Sequence, residues 1–162
     1  MKLSKQLAHR FMEVIFDGTW IAGTNYLEQL QNLTWHQATT KVGDYNTIAL
    51  LTFHIDYYIE GVLQVFLGGT LTIRDRYSFD APQLTSGQDW QDLKKRFFLN
   101  AKALAEEFRK LPDEQLSEPF VKEGYGTYLR NIEGMIEHCY YHLGQITLLR
   151  KTILKTAGWS SS

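Results

Sequence analysis

The feature that most constrains this fold is an unbroken apolar repeat in the C-terminal part of the chain. Apolar side chains recur there at alternating spacings of four and three residues, which places them along one side of an α-helix. Such a stripe is buried when the helix packs against other helices. Gly126 and Thr127 are positioned to begin the helix and Gly158 to end it. The stripe consists of Tyr128, Ile132, Met135, Cys139, His142, Ile146, Leu149 and Ile153.

Three earlier stretches show the same helical period. In the second of them, Asp44 or Asn46 is available as an N-terminal cap, and Gly68 follows as a stop. Pro112 ends the third stretch, because proline cannot continue a helix from its interior. Residues 25–33 are compatible with a further short helix. The three stretches cover residues 3–17, about 46–67 and about 89–111.

Four long helices with matching apolar stripes predict an all-α protein, a four-helix bundle. Segment 68–88, between the second and third long helices, contains Pro82 and Gly87 and is predicted to be a long, irregular crossover. A crossover of this length allows two successive helices to run parallel, which predicts up-down-down-up connectivity. Neither this segment nor the second long loop, 112–126, resembles a linker, because neither half could bury its apolar stripe alone. We therefore expect one domain over residues 1–162.

The composition argues against several classes of protein. The formal net charge of the 162 residues is −1, which offers no general attraction to nucleic acid. The longest apolar runs are far too short to span a membrane. The first residues lack the apolar core of a secretory signal, so a cytoplasmic location is the default expectation. The single cysteine, Cys139, excludes a disulfide within the chain, and we expect a packed core thiol rather than a ligand or nucleophile.

Three histidines give the clearest indication of chemistry. His138 and His142 are four residues apart, so both imidazoles leave the same face of the C-terminal helix. His54 lies in the second long helix, on the face that it shares with Leu51. If the helices bring the three rings together, they form a metal site with positions left for water or substrate. The alternative is that each is an ordinary core histidine bonded to a tyrosine or a carbonyl group, and spacing alone does not decide between them.

Several polar residues near these histidines are candidates for orienting a ligand. Gln145 follows His142 by three residues on the same face, and could bond a metal-bound water, a substrate or a residue across the bundle. Tyr58 and Tyr141 each lie one turn from one of the three histidines. Either tyrosine could donate a hydrogen bond into a pocket, although packing in an aromatic-rich core is the simpler interpretation.

Other polar residues are expected to lie outside this cluster. Spacing directs Asp56 and Glu60 away from the histidine of their helix, so both are expected to be solvated. His9 and His36 share no spacing with the other histidines and are expected at the surface or in caps. Cys139 stands where the His-Glu-x-x-His motif of metalloproteases requires a glutamate, which excludes that class of enzyme.

The order of these motifs resembles the DinB-like superfamily, which includes the YfiT-type metal-dependent hydrolases. The resemblance covers essentially the whole chain. Its most specific element is His-Cys-Tyr-Tyr-His-Leu-Gly-Gln-Ile at residues 138–146, paired with His54 shortly before Tyr57-Tyr58. Gly18-Thr19-Trp20 after the first helix and Asn46-Thr47-Ile48-Ala49 at the second fit the same pattern.

This resemblance implies a four-helix bundle with up-down-down-up connectivity and a metal-binding triad formed by His54, His138 and His142. It implies a nickel or zinc ion, with water completing the coordination, and a homodimer formed through helix faces. Some members transfer low-molecular-weight thiols such as bacillithiol or mycothiol to electrophiles, or use them in isomerisation. Others are named hydrolases by analogy.

Two classes of metal-binding function, and one without metal, follow from these expectations. In the first, a divalent ion activates a thiol or water for transfer to, or hydrolysis of, a small and partly apolar substrate. In the second, a non-catalytic metal-binding stress-response protein, the ion mainly stabilises the bundle. A metal-free helical interaction module is a third alternative. No residue stands out as a general base, which favours the second class, whereas an open coordination position would favour the first.

Overall fold

Helices make up most of the structure, a computed structural model that describes residues 2–156 and 158 of the chain. Within these residues the chain forms no β-strand, and one isolated bridge pairs Pro119 with Thr127. The all-α prediction is therefore confirmed. Both ends of the domain that is expected over residues 1–162 lie outside the described residues. The α-helices are α1 (Leu3–Met12), α2 (Tyr26–Leu30), α3 (Trp35–Thr39), α4 (Ile48–Phe66), α5 (Gly87–Lys110) and α6 (Tyr128–Thr156).

The long helices α1, α4, α5 and α6 pack around a shared core. Helix α5 contacts both α1 and α4, and α6 contacts the same two helices, so the four surround one interior. Large aromatic side chains fill it, among them Phe11, Trp90, Phe97 and Phe108, which are at most 1% exposed. Burial on this scale supplies the main stabilising free energy of such a bundle. The up-down-down-up order of the helices stays a prediction.

The apolar stripe of α6 is buried as the sequence predicts. All its members are buried except Tyr128, which is half-buried and packs edge-on against Phe66 and Phe120. Cys139 is fully buried on this stripe, and burial raises the pKa of its thiol well above the usual range. Its thiol therefore stays protonated, and the prediction of a packed core cysteine is confirmed.

Local capping explains where the structure departs from the predicted helix ends. The predicted N-terminal cap of α4, Asp44 or Asn46, is wrong. Thr47 caps the helix instead, because its hydroxyl accepts a hydrogen bond from the amide of Leu50. Helix α3 was not predicted; it forms because the side chains of Thr34 and Gln37 cap each other's backbone amides. At the end of α1 the chain continues through one π-helical turn, Glu13–Asp17.

The crossover between α4 and α5 is irregular, as predicted, except for a 3₁₀ turn at Asp75–Tyr77. It lies directly against α4 at Gly61, where an added Cβ would come within 2.5 Å of the Ile73 side chain. Only glycine permits so close an approach. The hydroxyl of Tyr57 then accepts a hydrogen bond from the amide of Arg74 and donates one to its carbonyl, at 2.8 and 3.0 Å. The crossover is thus fixed beside the stretch of α4 that carries the predicted metal ligand.

The expectation that Asp56 is solvated is wrong. Asp56 is fully buried, and its carboxylate accepts hydrogen bonds from Arg96 at 2.6 Å and Asn100 at 2.9 Å. Asp56 does lie on a different face of α4 from His54, but that face packs against α5 rather than facing solvent. Glu60 is exposed, as predicted. The ion pair therefore joins the two helices in the middle of the bundle.

This ion pair, in which only the carboxylate is buried, predicts an asymmetric response to mutation. Arg96→Met leaves the buried carboxylate without its charged partner and should lower the free energy of unfolding by about 3 kcal/mol. Asp56→Asn removes the buried charge while Arg96, whose side chain is 46% exposed, stays hydrated, so its effect should be smaller. Urea denaturation of both variants measures the difference.

Arg109→Met is the matched control for this prediction. Arg109 pairs with Glu106 on the surface of α5, with both side chains 44% exposed. An exposed pair of this kind contributes at most about 1 kcal/mol. Equal losses from Arg96→Met and Arg109→Met would contradict the assignment of an interhelical ion pair with a buried carboxylate.

Candidate metal centre

The rings of His54, His138 and His142 meet between α4 and α6. The Nε2 atom of His138 lies 3.2 Å from that of His54 and 2.9 Å from that of His142. One ligand atom from each ring lies within 4.8 Å of the other two. His54 and His142 are buried and His138 is half-buried. The structure thus brings together the three residues that the sequence predicts as a triad.

These separations are those that a shared ion requires. Two imidazole nitrogens bonded to one ion at about 2.0–2.1 Å, with about 90–110° between the bonds, lie about 2.8–3.4 Å apart. Both measured Nε2 separations fall in that interval. A cluster of three histidines is moreover a donor set that suits zinc, nickel and similar transition metals. The residues therefore fit the divalent ion that the resemblance implies.

Hydrogen bonds to the outer nitrogens set the protonation of two rings. The Nδ1 atom of His54 lies 3.2 Å from the carbonyl oxygen of Ser78, and Nδ1 of His142 lies 2.7 Å from Oε1 of Gln145. Because these oxygens can only accept, each Nδ1 carries the proton and donates it. In a neutral imidazole this leaves a lone pair on Nε2. Both lone pairs then face the common point, which is the arrangement that metal-binding histidines use.

Burial keeps all three rings neutral near physiological pH. Desolvation, together with the neighbouring rings of His142 and His54, lowers the pKa of His138 to about 4. Desolvation also lowers the pKa of His54 and of His142, and the hydrogen bond to Gln145 partly opposes the shift of His142. Since a metal binds only the unprotonated nitrogen, a depressed pKa reduces competition from protons.

Aromatic side chains border the cluster on several sides. Phe79 stacks on the ring of His54, with the centroids 4.0 Å apart and the planes within 11°. Tyr58 meets the rings of His54 and His138 edge-on, each at 5.1 Å. Its hydroxyl donates a hydrogen bond to Asp75 at 2.9 Å. Burial, followed by this hydrogen bond, raises the pKa of Tyr58, which keeps the phenol protonated.

The residues proposed as orienting groups have different surroundings. Gln145 bonds His142 itself, so its carbonyl oxygen orients a ring of the triad. Tyr58 lies against two of the rings. Tyr141 also contacts His142 edge-on at 4.8 Å, but it is 65% exposed and therefore stands at the edge of the site. His9 and His36 are exposed and lie apart from the cluster, as expected.

Sequence reasoning missed the contributions of the crossover. Ser78, Phe79 and Asp75 all contact the site or Tyr58, yet they lie in an irregular segment without periodicity. The one sequence signal for these contacts was the pair Tyr57-Tyr58. Adjacent tyrosines on a helix point to different faces, so the two are not expected to serve the same core contact. The structure uses both of them to hold the crossover.

The family comparison supports this assignment. A model of the DinB superfamily matches residues 19–146, which include all three histidines. The chain belongs to the DinB superfamily. Searches of curated proteins and of solved structures gave no significant match. Among the described residues, no helix is both long and apolar enough to cross a membrane.

Gln145→Leu should weaken metal binding without removing a ligand. The substitution removes the acceptor that fixes the tautomer of His142, and losses of such partners lower metal affinity by about 10- to 100-fold. Competition with a chromophoric chelator measures the dissociation constants for Ni²⁺ and Zn²⁺. Gln91→Leu, at an exposed position of α5, is the control. An affinity equal to that of the wild type would show that Gln145 does not support the site.

The metal-free protein should lose stability as the pH falls from about 6.5 to about 4. The folded state, with its lowered histidine pKa values, binds fewer protons than the unfolded chain in this window. The free energy of unfolding therefore decreases as the pH decreases through it, and this loss is complete below it. His138→Gln should flatten this part of the profile, measured by urea denaturation in a chelator. His9→Gln, at an exposed histidine, should leave the profile unchanged. If the wild type, His138→Gln and His9→Gln all give parallel profiles, the assignment of His138 as a half-buried, neutral histidine is wrong.

Proposed function

We propose that this protein is a metal-dependent enzyme that activates a thiol or a water molecule for reaction with a small, partly apolar substrate. The ion, Ni²⁺ or Zn²⁺, is held by His54, His138 and His142. Three protein ligands leave further coordination positions free, which distinguishes a catalytic site from a closed structural one.

The observation that carries this proposal is the convergence of three imidazole Nε2 atoms, two of which present lone pairs to a common point. Two outer hydrogen bonds hold the rings of His54 and His142, and His138 is half-buried rather than enclosed. The half-exposed ring gives solvent a route to the common point. A purely structural role would not require such access.

A divalent ion bound there would lower the pKa of a coordinated water to about 7 or deprotonate a coordinated thiol. The chain itself orients the rings through Ser78 and Gln145. The Tyr58 hydroxyl donates its proton to Asp75, so its oxygen offers an acceptor beside His54 and His138 for a hydrogen-bond donor of the substrate. No general base is required of the protein if the ion supplies the nucleophile.

The aromatic border supports a substrate with apolar or flat parts. Phe79 and Tyr141 are 41% and 65% exposed, and both lie directly against ligand rings. Exposed aromatic faces at a polar site bind apolar surface while the polar groups fix orientation. We extend the proposal to a low-molecular-weight thiol as co-substrate. It forms a carbon–sulfur bond as it gives up its proton, and the electrophile's leaving group departs with the bonding pair. A cytoplasmic location and a homodimer stay predictions.

Thiol consumption tests the catalytic proposal. Bacillithiol, mycothiol, glutathione and coenzyme A are each incubated with a simple electrophile such as 1-chloro-2,4-dinitrobenzene, with and without Ni²⁺ or Zn²⁺. We expect at least one thiol to react faster with the metal-loaded protein, and His138→Gln to lose this acceleration because a ligand is missing. Hydrolysis of an activated ester in the same panel distinguishes water from thiol as the nucleophile.

The pattern of failure identifies the alternative. Tight, stoichiometric metal binding with no acceleration of any reaction would favour a non-catalytic metal-binding stress-response protein. In that protein the ion would raise the melting temperature and His138→Gln would abolish the increase. Failure to bind either ion would leave a metal-free helical interaction module. His36→Gln, at an exposed histidine, is the matched control in all these measurements.

A further inference from the structure

A second feature near the metal centre is a cavity of about 480 Å³ between α6 and the segment that leads into α4. Its volume lies within the range of small-molecule sites. Its position follows from two lining residues, Leu51 and Gln145. Leu51 precedes His54 by three residues on α4, and Gln145 follows His142 by three residues on α6. The cavity therefore begins about one helical turn from the triad and lies on the outer side of His142.

The walls of this cavity are mainly apolar. Leu51 and Leu149 line it and are 3% and 7% exposed. Tyr45 and Leu148 also line it, yet they are 70% and 68% exposed. Together the four side chains give the depression an apolar surface that a ligand could cover.

Gln145 provides a polar contact in the wall. Its Oε1 accepts from His142, while its amide nitrogen has no hydrogen-bond partner among the described residues. A ligand in the cavity would therefore pack against a side chain that also orients the metal centre. Contact with Gln145 connects the cavity to the site without occupying a coordination position.

Charge narrows the chemistry of the ligand. Asp44 is the one charged residue among the described residues that line the cavity. It takes part in none of the ion pairs found in the described part of the chain. Lys41 lines a shallower depression that continues along α6 past Thr152, outside the cavity itself. An apolar body with a cationic group at the Asp44 end matches this surface.

We propose that this cavity binds a small amphiphilic amine, with its apolar body against Leu51 and Leu149 and its ammonium group beside Asp44. The bound amine contacts the carboxamide of Gln145. Binding to the cavity does not depend on the proposed catalytic function, because none of these contacts involves the ion. The test therefore uses metal-free protein, so that it fails or succeeds independently of the metal proposal.

Two probes of the same shape and opposite charge, 3-phenylpropylamine and 3-phenylpropanoate, test the proposal. Each is titrated into isotopically labelled protein at neutral pH, and the side-chain amide signal of Gln145 is followed by NMR. We expect the amine to shift this signal and to bind about fivefold more tightly than the carboxylate, as an exposed ion pair allows. Asp44→Asn should bring the two dissociation constants close to each other.

Two variants locate the binding. Thr152 is exposed and lines the cavity, so Thr152→Trp should block it and weaken both probes. Leu148→Lys, at an exposed position, should weaken binding of the amine but not of the carboxylate, because the added charge repels only the amine. This variant also keeps the test valid if Thr152→Trp disturbs folding. The proposal is overturned if the carboxylate binds as tightly as the amine, if the Gln145 signal does not move, or if neither variant weakens the amine.

Discussion

The arrangement on which the rest of the site depends is the meeting of three imidazole rings, in which Nε2 of His138 lies within hydrogen-bond distance of Nε2 of both His54 and His142. Neutral imidazoles so close together need an explanation, since Nε2 of His138 faces two nitrogens whose lone pairs are directed toward it. One ring could donate a proton into this cluster, but a cation satisfies all three nitrogens together. The outer hydrogen bonds place the proton of the neutral His54 and His142 rings on Nδ1. Desolvation lowers the pKa of both rings by more than these hydrogen bonds raise it, so the rings stay neutral.

The bundle makes this arrangement rigid through contacts on two sides of α4. One face joins α5 through the buried carboxylate of Asp56, and another holds the crossover through Tyr57 and Gly61. The crossover then places the carbonyl of Ser78 on His54. The ring of His54 is therefore already oriented before an ion binds. Metal binding then loses less conformational entropy than it would with a mobile ligand ring.

Much of the fold could be predicted from the sequence because the responsible signals are periodic. The stripe of α6 specifies a buried helix, and the four-residue spacing of His138 and His142 specifies a common face. Spacing could place His54 on an inward face, but only the family resemblance paired it with the other two, because relative helix rotation depends on packing across the whole core. Only the structure shows that the three rings converge.

The remaining features depend on contacts that have no local pattern. Asp56 was assigned to solvent since its spacing only excluded the face of His54, and a helix inside a bundle has more than one buried face. Ser78 and Phe79 belong to an irregular segment, where no period indicates which side chain or carbonyl turns inward. The spacing placed Gln145 on the correct face of α6. That it bonds His142 rather than water, a substrate or another helix depends on side-chain geometry, which the sequence does not specify.

Anomalous diffraction from crystals grown with Zn²⁺, recorded on both sides of the zinc absorption edge, tests the central claim most directly. The account predicts one strong peak per chain, about 2.0–2.1 Å from Nε2 of each of His54, His138 and His142. A peak bound through other residues, or three imidazoles bonded only to one another in protein saturated with zinc, would contradict it.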